Sequence, residues 1–337
     1  MVLIRQILQE SASRRPDGIA IKAGDQMISY RLLAEQVARL AAGLLDCGLS
    51  PGDRIAVLLP NTVELVTTML AASYAELIVV PLLADYPPPQ NGDILSHTAA
   101  RALVTSPTLL SAIPADSLQR LSTVVLTGEQ TPGRVCYDGL IASAPRDIPH
   151  SETEIDPIGL IVYTSGSTGR PKGVRHTYGR MAWNLFSHIN CLDIRAEEVM
   201  LLTTPLPHSS GYHMVAGFLQ GAHVVIESRF DPQRFFELCR EVDVTWTMVV
   251  PTMLYRLLDH PAAGSMDHRS LNTIVYGAAP INRERLEEGL RKFGKVFLQI
   301  YGQTECPNLI TTLSKDDHTN PDLLASCGRA VPLVELR

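Results

Sequence analysis

Tyr163-Thr164-Ser165-Gly166-Ser167-Thr168-Gly169-Arg170-Pro171-Lys172-Gly173-Val174 follows directly on the apolar run Ile158 to Val162. The run reads as a strand, and it opens into a loop of glycines and small hydroxyls that closes on one lysine. Such a loop is suited to hold phosphate: glycines let backbone N–H groups turn inward, hydroxyls add donors, and the lysine sets a point charge against oxyanions. It departs from the Walker A pattern, which needs Gly-Lys-Ser/Thr opening a helix, because Pro171 precedes Lys172 and keeps the backbone before it out of helical geometry. Ser167 lacks Gly-x-Ser-x-Gly flanks, which excludes the serine-hydrolase elbow. A plain Ser/Gly surface turn accounts for the glycines and serines but not for the Pro-Lys-Gly close.

Outward from this loop, the 337 residues allow a large core and about two domains or subdomains. A content of 45% hydrophobic and 19% charged residues is that of a soluble globular chain. The formal charge of -6, with no Lys/Arg block, argues against a nucleic-acid surface, so any nucleotide site must be local. Lysine occurs only at Lys22, Lys172, Lys292, Lys295 and Lys315, which makes its presence in the loop informative. Cys47, Cys136, Cys191, Cys239, Cys306 and Cys327 lie far apart with no zinc spacing, and read as reduced, mostly core thiols of a cytoplasmic protein. The segment Met1 to Arg15 is an amphipathic surface helix without a signal-peptide core. Met69 to Leu83, the most apolar stretch, is broken by Glu76 and Pro81 and is too short to span a bilayer.

Helical and strand patterns alternate along the chain, which predicts βαβ units and largely parallel sheets. Helices are expected at Tyr30–Cys47, Val63–Tyr74, Pro232–Val242 and Asn282–Phe293. Strands are expected at Arg54–Leu59, Ile78–Pro81, Ala102–Thr105, Thr123–Leu126, Gly159–Tyr163, Met200–Thr203, His223–Ile226, Trp246–Val250, Thr273–Tyr276 and Val296–Tyr301. The shift to Pro, Gly, Ser and charge between Thr127 and Asp156 marks a boundary, giving a first αβ subdomain over 1–156 and a second over 157–328. Ala330–Leu336 reads as a strand, and residues 329–337 as the start of a third, truncated subdomain. Tyr163–Val174, Pro205–Tyr212, Gly277–Pro280 and Tyr301–Glu305 each sit at or beyond the C-terminal end of an expected strand. In an open α/β sheet such ends form one ligand-binding rim, so all four are expected on a single rim.

In their order and spacing these segments resemble the adenylate-forming superfamily of acyl-CoA and aryl-CoA ligases, nonribosomal adenylation domains and luciferases. The resemblance covers essentially the whole chain, from Pro51-Gly52-Asp53-Arg54-Ile55-Ala56 to Gly328-Arg329. It implies an α/β fold of two packed, mostly parallel subdomains with an incomplete barrel subdomain. Tyr163–Val174 is similar to the family's phosphate loop, so Thr164, Ser165, Gly166, Ser167, Thr168, Gly169 and Lys172 would hold the β- and γ-phosphates of ATP. Gly277, Ala278, Ala279 and Pro280 resemble its adenine-binding turn, and Tyr301, Gly302, Gln303, Thr304 and Glu305 its Tyr-Gly-x-Thr-Glu element. Tyr301 would cover adenine, Thr304 would donate to the α-phosphate, and Glu305 would help hold Mg2+, which prefers one or two carboxylates plus phosphate oxygens.

The reaction so implied is attack of a small-molecule carboxylate on the α-phosphorus of ATP, followed by transfer to CoA. Amino-acid activators of the family carry an aspartate where this chain has His208. Pro205-Leu206-Pro207-His208 with Gly211 instead resembles the acyl-CoA ligases, placing His208 beside the bound carboxylate. His208, Tyr212, Met214, Val250, Gly277, Gly302 and Ile310, with Thr311 beyond, would line a pocket for an alkyl or aryl acid. His188 and His213 read as structural. The family's chain ordinarily continues through a Thr-Gly-Asp and a C-terminal domain with an essential lysine, so the resemblance implies a large N-terminal domain that needs a C-terminal domain in cis or in trans. Two alternatives stay open: a stand-alone module that binds acid or acyl-adenylate without turnover, and transfer to a carrier-protein thiol in place of CoA.

Overall fold

The computed structural model of the chain describes residues 4–143, 148, 156–164, 171–265, 270–306 and 308–337. Ser165, Gly166, Ser167, Thr168 and Gly169 of the phosphate loop lie outside the described residues. In chain order the strands are β1 (Ile19–Ala23), β2 (Gln26–Ser29), β3 (Arg54–Leu58), β4 (Ile78–Pro81), β5 (Ala102–Thr105), β6 (Thr123–Leu126), β7 (Val135–Cys136), β8 (Ile158–Thr164), β9 (Lys172–Thr177), β10 (Val199–Leu202), β11 (His223–Ile226), β12 (Trp246–Val249), β13 (Thr273–Tyr276), β14 (Phe297–Tyr301), β15 (Thr311–Leu313) and β16 (Arg329–Ala330). They form two mostly parallel sheets with helices between the strands, as the alternating pattern predicts. Among the described residues neither sheet closes into a barrel.

The chain divides into two compact units, Met1–Asp17 with Ile28–Ala182, and Gly18–Met27 with Trp183–Arg337. In the first, seven strands lie in the order β7-β6-β5-β3-β4-β8-β9, all parallel but for the β8–β9 hairpin. Strands such as β5 and β6 are buried along their whole length, which is why they read as unbroken apolar runs rather than as alternation. The helices on them start at side-chain caps: Ser29 Oγ accepts from Leu32 N–H, and Thr62 Oγ1 from Leu65 N–H. Ala56, Leu58, Val80, Leu82, Ile94, Leu95, Leu103 and Tyr163 share one buried cluster. Each Val, Leu or Ile side chain among them contributes about 1.5–3 kcal/mol on burial.

In the second unit the order is β16-β15-β14-β13-β12-β10-β11-β1-β2. Strands β14, β13, β12, β10, β11 and β1 run parallel to one another, and β15 and β16 continue the edge antiparallel. Asp231 caps the helix Pro232–Val242 by accepting from Arg234 N–H, and Asn282 caps Arg283–Phe293 by accepting from Arg285 N–H. Phe235, Phe236, Leu254, Leu257, Ile274, Tyr276, Leu286 and Phe297 form the core on these elements.

Three expectations differ from the structure. The division at Asp156 would put the phosphate-loop strand in the second subdomain, but β8 pairs with β4 (Val79 opposite Leu160) and the first unit runs on to Ala182. A pairing about 80 residues apart leaves no local trace in composition. The expected terminal strand is only Arg329–Ala330, since Pro332 lacks an amide donor and Leu333 sits at φ 70°. Of the six cysteines only Cys239 is buried; Cys47, Cys136, Cys191 and Cys306 are half-buried and Cys327 is exposed.

Candidate active site

On the second unit's sheet, β10, β12, β13 and β14 are consecutive and parallel. Their C-terminal ends therefore share one edge, and the segments that leave it are Thr203–Gly211, Val250, Gly277–Pro280 and Gly302–Glu305. Three of the four motifs expected on one rim are on it. The fourth, Tyr163–Val174, belongs to the other sheet because of the β4–β8 pairing.

After β10 the chain makes a wide turn over Leu206–Ser210, inside which His208 leaves helical geometry at φ -107°, ψ -143°. The Thr204 and Ser210 hydroxyls hydrogen-bond across the base of this turn. Neither stands out in the sequence, because Thr and Ser are ordinary turn residues. The helix Gly211–Gln220 then begins, and a Cβ on Gly211 would lie 2.3 Å from the Leu206 carbonyl oxygen. Gly211→Ala is thus expected to displace the His208 turn and lower stability by about 1–3 kcal/mol. Gly264→Ala, with nothing within 4 Å of the added carbon, should melt within a degree or so of the unaltered chain. Equal thermal melting of the two variants would contradict this account of the turn. His208 itself is exposed, and the chain packed around it lowers its imidazole pKa by desolvation. It is therefore biased toward the neutral form, with one ring nitrogen a donor and the other an acceptor.

Met214 is buried one turn into the same helix. Tyr212 turns its ring onto His188 (centroids 6.0 Å apart, nearly parallel), and His188 in turn meets His213, which packs on Trp246. His188 Nδ1 bonds the Asn184 carbonyl at 2.8 Å. Among the described residues, His188 Nε2, both His213 nitrogens and the Tyr212 hydroxyl have no hydrogen-bond partner. Burial pushes the His188 pKa down to about 4, and that of His213 well below its ordinary value.

This pair has a consequence for acid stability. Folded, His188 stays neutral from its usual 6.5 down to about 4; unfolded, it takes its proton near 6.5. Between those values the unfolded chain binds more protons, so the contribution is complete above pH 6.5 and is lost as pH falls toward 4. The window is worth on the order of 3 kcal/mol for His188. Denaturant unfolding from pH 7 to pH 4 should show this fall, and His188→Leu should flatten it. An unchanged slope in the variant would refute a buried neutral imidazole.

After β13, Gly277 is buried, and a Cβ there would lie 2.5 Å from the Ile300 carbonyl oxygen of β14. Glycine lets the two strand ends close together. Ala278 follows at φ 67°, a left-handed conformation that costs a residue with a Cβ on the order of 1–2 kcal/mol, and Ala278, Ala279 and Pro280 are exposed. After β14, Tyr301 shows 39% of its surface, and its hydroxyl accepts from the Gln303 amide at 2.8 Å. Gly302 passes so close to Asn308 that a Cβ would lie 2.2 Å from its carbonyl carbon. The loop then folds back, with Asn308 N–H to Gln303 O, and Ile310 N–H to Tyr301 O at 2.7 Å. Thr304 is left half-buried and Glu305 exposed at the tip. Val250 and Ile310 are half-buried, Val250 directly after β12 and Ile310 directly before β15.

Among the described residues, no group of three or more His, Cys, Asp or Glu could cage a metal. Glu305 is one exposed carboxylate at the loop tip, the type of donor that Mg2+ takes up together with phosphate oxygens. In the first unit, Thr164 and Lys172 face each other on the last described rung of the β8–β9 hairpin, and Lys172 is exposed.

No helix among the described residues is long and apolar enough to cross a membrane. The chain is 32% identical over 306 residues to a feruloyl-CoA synthase of Amycolatopsis, covering 90% of this chain and 60% of that protein. It is 31% identical over 326 residues to the medium/long-chain-fatty-acid–CoA ligase FadD8 of Mycobacterium tuberculosis, covering 91% and 55%. The chain thus spans less than two thirds of the length of either relative. Its fold superposes on the amide bond synthetase McbA from Marinactinospora thermotolerans with a TM-score of 0.89 at 27% identity, covering 99% of this chain and 66% of that one. The model of the AMP-binding enzyme family matches residues 8–337, which include the Tyr163–Val174 segment, the His208 turn and both glycine-thinned strand ends, and the chain belongs to that family.

Proposed function

We propose that the protein activates a carboxylic acid of fatty or aromatic type with ATP and passes the acyl group to the thiol of CoA. The observation that carries this reading is the shared edge of β10, β13 and β14, from which His208, the Gly277–Pro280 turn and Tyr301–Glu305 all leave, in a chain of the AMP-binding family. Relatives named for feruloyl and fatty acyl groups support the substrate class.

A carboxylate oxygen of the acid attacks the α-phosphorus of ATP; the bond from that phosphorus to the β-phosphate bridge breaks, and acyl-AMP and pyrophosphate result. The CoA thiolate then attacks the acyl carbon, and AMP leaves with the bonding pair. Neither step needs a protein nucleophile, so the residues act by alignment and charge. His208 would hold the acid's carboxyl end by hydrogen bonding, with Met214, Val250, Gly277, Gly302 and Ile310 around its body. The exposed Tyr301 ring and the Gly277–Pro280 backbone would cover the adenine, and Thr304 would donate to the α-phosphate. Thr164 and Lys172, with Ser165, Gly166, Ser167, Thr168 and Gly169, would hold the departing phosphates. Mg2+ held by Glu305 would supply charge neutralisation between the two anions.

The reading is tested by incubating the chain with ATP, Mg2+ and single acids from an alkyl and aryl panel and looking for acyl-AMP by mass spectrometry, with a relative's C-terminal segment supplied in trans where the chain alone is silent. Acyl-AMP from at least one acid is expected. Tight acid binding without acyl-AMP in either form would favour a binding module. McbA makes amide bonds, so an amine, or a carrier-protein thiol, in place of CoA is a second acceptor for the same panel.

A further inference from the structure

Tyr163 stands on the rung of the β8–β9 hairpin directly before Thr164 and Lys172, and faces Gly173 across it. Its side chain is 5% exposed and joins the cluster of Ala56, Leu58, Val80 and Leu103. The ring lies over the opposite glycine: a Cβ on Gly173 would be 3.2 Å from Tyr163 Cζ and 3.3 Å from Cε2. Its hydroxyl leaves this apolar packing and meets His97 Nδ1 at 2.5 Å, with the two rings edge-on at 83° and their centroids 5.8 Å apart. His97 comes from the last turn of the helix Pro88–Thr98 and is otherwise exposed. Burial raises the phenol's pKa, so the hydroxyl keeps its proton at neutral pH and can donate to the imidazole.

Packing alone does not call for this bond. Phenylalanine at 163 would fill the same apolar space, and any polar residue would suit an exposed helix end at 97. What the bond adds is a fixed orientation of the ring that spans the hairpin. A ring pinned by its hydroxyl on one side and by a glycine backbone on the other sets the spacing of the rung, and the next rung carries the loop's cation.

We propose that His97 is a positioning residue for the phosphate loop, acting through the Tyr163 hydroxyl to set where Thr164 and Lys172 meet the nucleotide's phosphates. The inference rests on Lys172 being the nucleotide's cation, as proposed above. It assigns a nucleotide-site role to a helix that carries none of the motifs.

The test is the affinity of the full chain for MgATP by titration calorimetry, with thermal melting of each variant alongside. His97→Leu and Tyr163→Phe should each weaken MgATP by about fivefold, the size of one lost hydrogen bond. The double variant should be no weaker than either single one, because each removes the same contact. His97→Asn, whose amide overlays the imidazole Nδ1 side, should bind within about twofold of the unaltered chain. The lost bond should also lower melting by a degree or so in His97→Leu and Tyr163→Phe, so MgATP affinity is the deciding readout. If His97→Leu fails to fold, Tyr163→Phe, which keeps the ring, decides alone. MgATP affinity unchanged in Tyr163→Phe while Lys172→Ala weakens it would overturn the inference, as would additive losses or an Asn variant as weak as Leu. Unchanged affinity in Lys172→Ala would instead overturn the reading of the loop on which the inference stands.

Discussion

Glu305→Gln weakens the Mg2+-dependent part of ATP binding by about a hundredfold and leaves the fold unchanged. Groups that merely support a metal ligand are worth about 10–100-fold in metal affinity, so the carboxylate itself should sit at or above the upper end. No other described side chain pairs with Glu305, so glutamine removes charge without orphaning a partner, and the variant should melt as the unaltered chain does. Titrating Mg2+ against chain saturated with ATP checks this. An unchanged Mg2+ midpoint would show that Glu305 is a solvated loop carboxylate.

His208→Asp reverses the polarity offered to the acid's carboxyl end. Two unit charges 4 Å apart cost about 1 kcal/mol in water and about 4 kcal/mol near a protein surface. Because His208 is exposed, the lower end applies, and affinity for a simple carboxylic acid should fall about fivefold. The primary amide of the same acid carries no charge, and its binding should change much less. Equal behaviour of acid and amide toward the variant would place His208 away from the carboxylate. The turn that presents His208 depends on Gly211, so Gly211→Ala should lose acid affinity as well as stability.

Strands β4, β5, β6, β11 and β13 were legible to the residue, because strands buried on both faces in a parallel sheet must be apolar throughout and are bounded by turn residues. The glycines at 211, 277 and 302 were legible as motif positions, and the structure gives the physical reason: each lets backbone approach backbone where a Cβ would lie 2.2–2.5 Å from it. Sheet membership was not legible. Strand β8 reads as the start of the second half, and only its pairing with β4 assigns it to the first. Contacts of this kind, the His97–Tyr163 bond across 66 residues included, are made by the fold and leave no periodicity behind. The stacking of the Tyr212 ring on His188 is another such contact, made across elements and not announced by its place beside His208.

Carboxylate activation through an adenylate is read, as a single step, by isotope exchange between labelled pyrophosphate and ATP. Label should enter ATP only when a suitable acid is present, from the chain joined in trans by a relative's C-terminal segment if not from the chain by itself. Exchange should be lost in Lys172→Ala and Glu305→Gln. Exchange that needs no acid, or its absence with every acid in both forms while MgATP still binds, would rule out acid activation through an adenylate at this site.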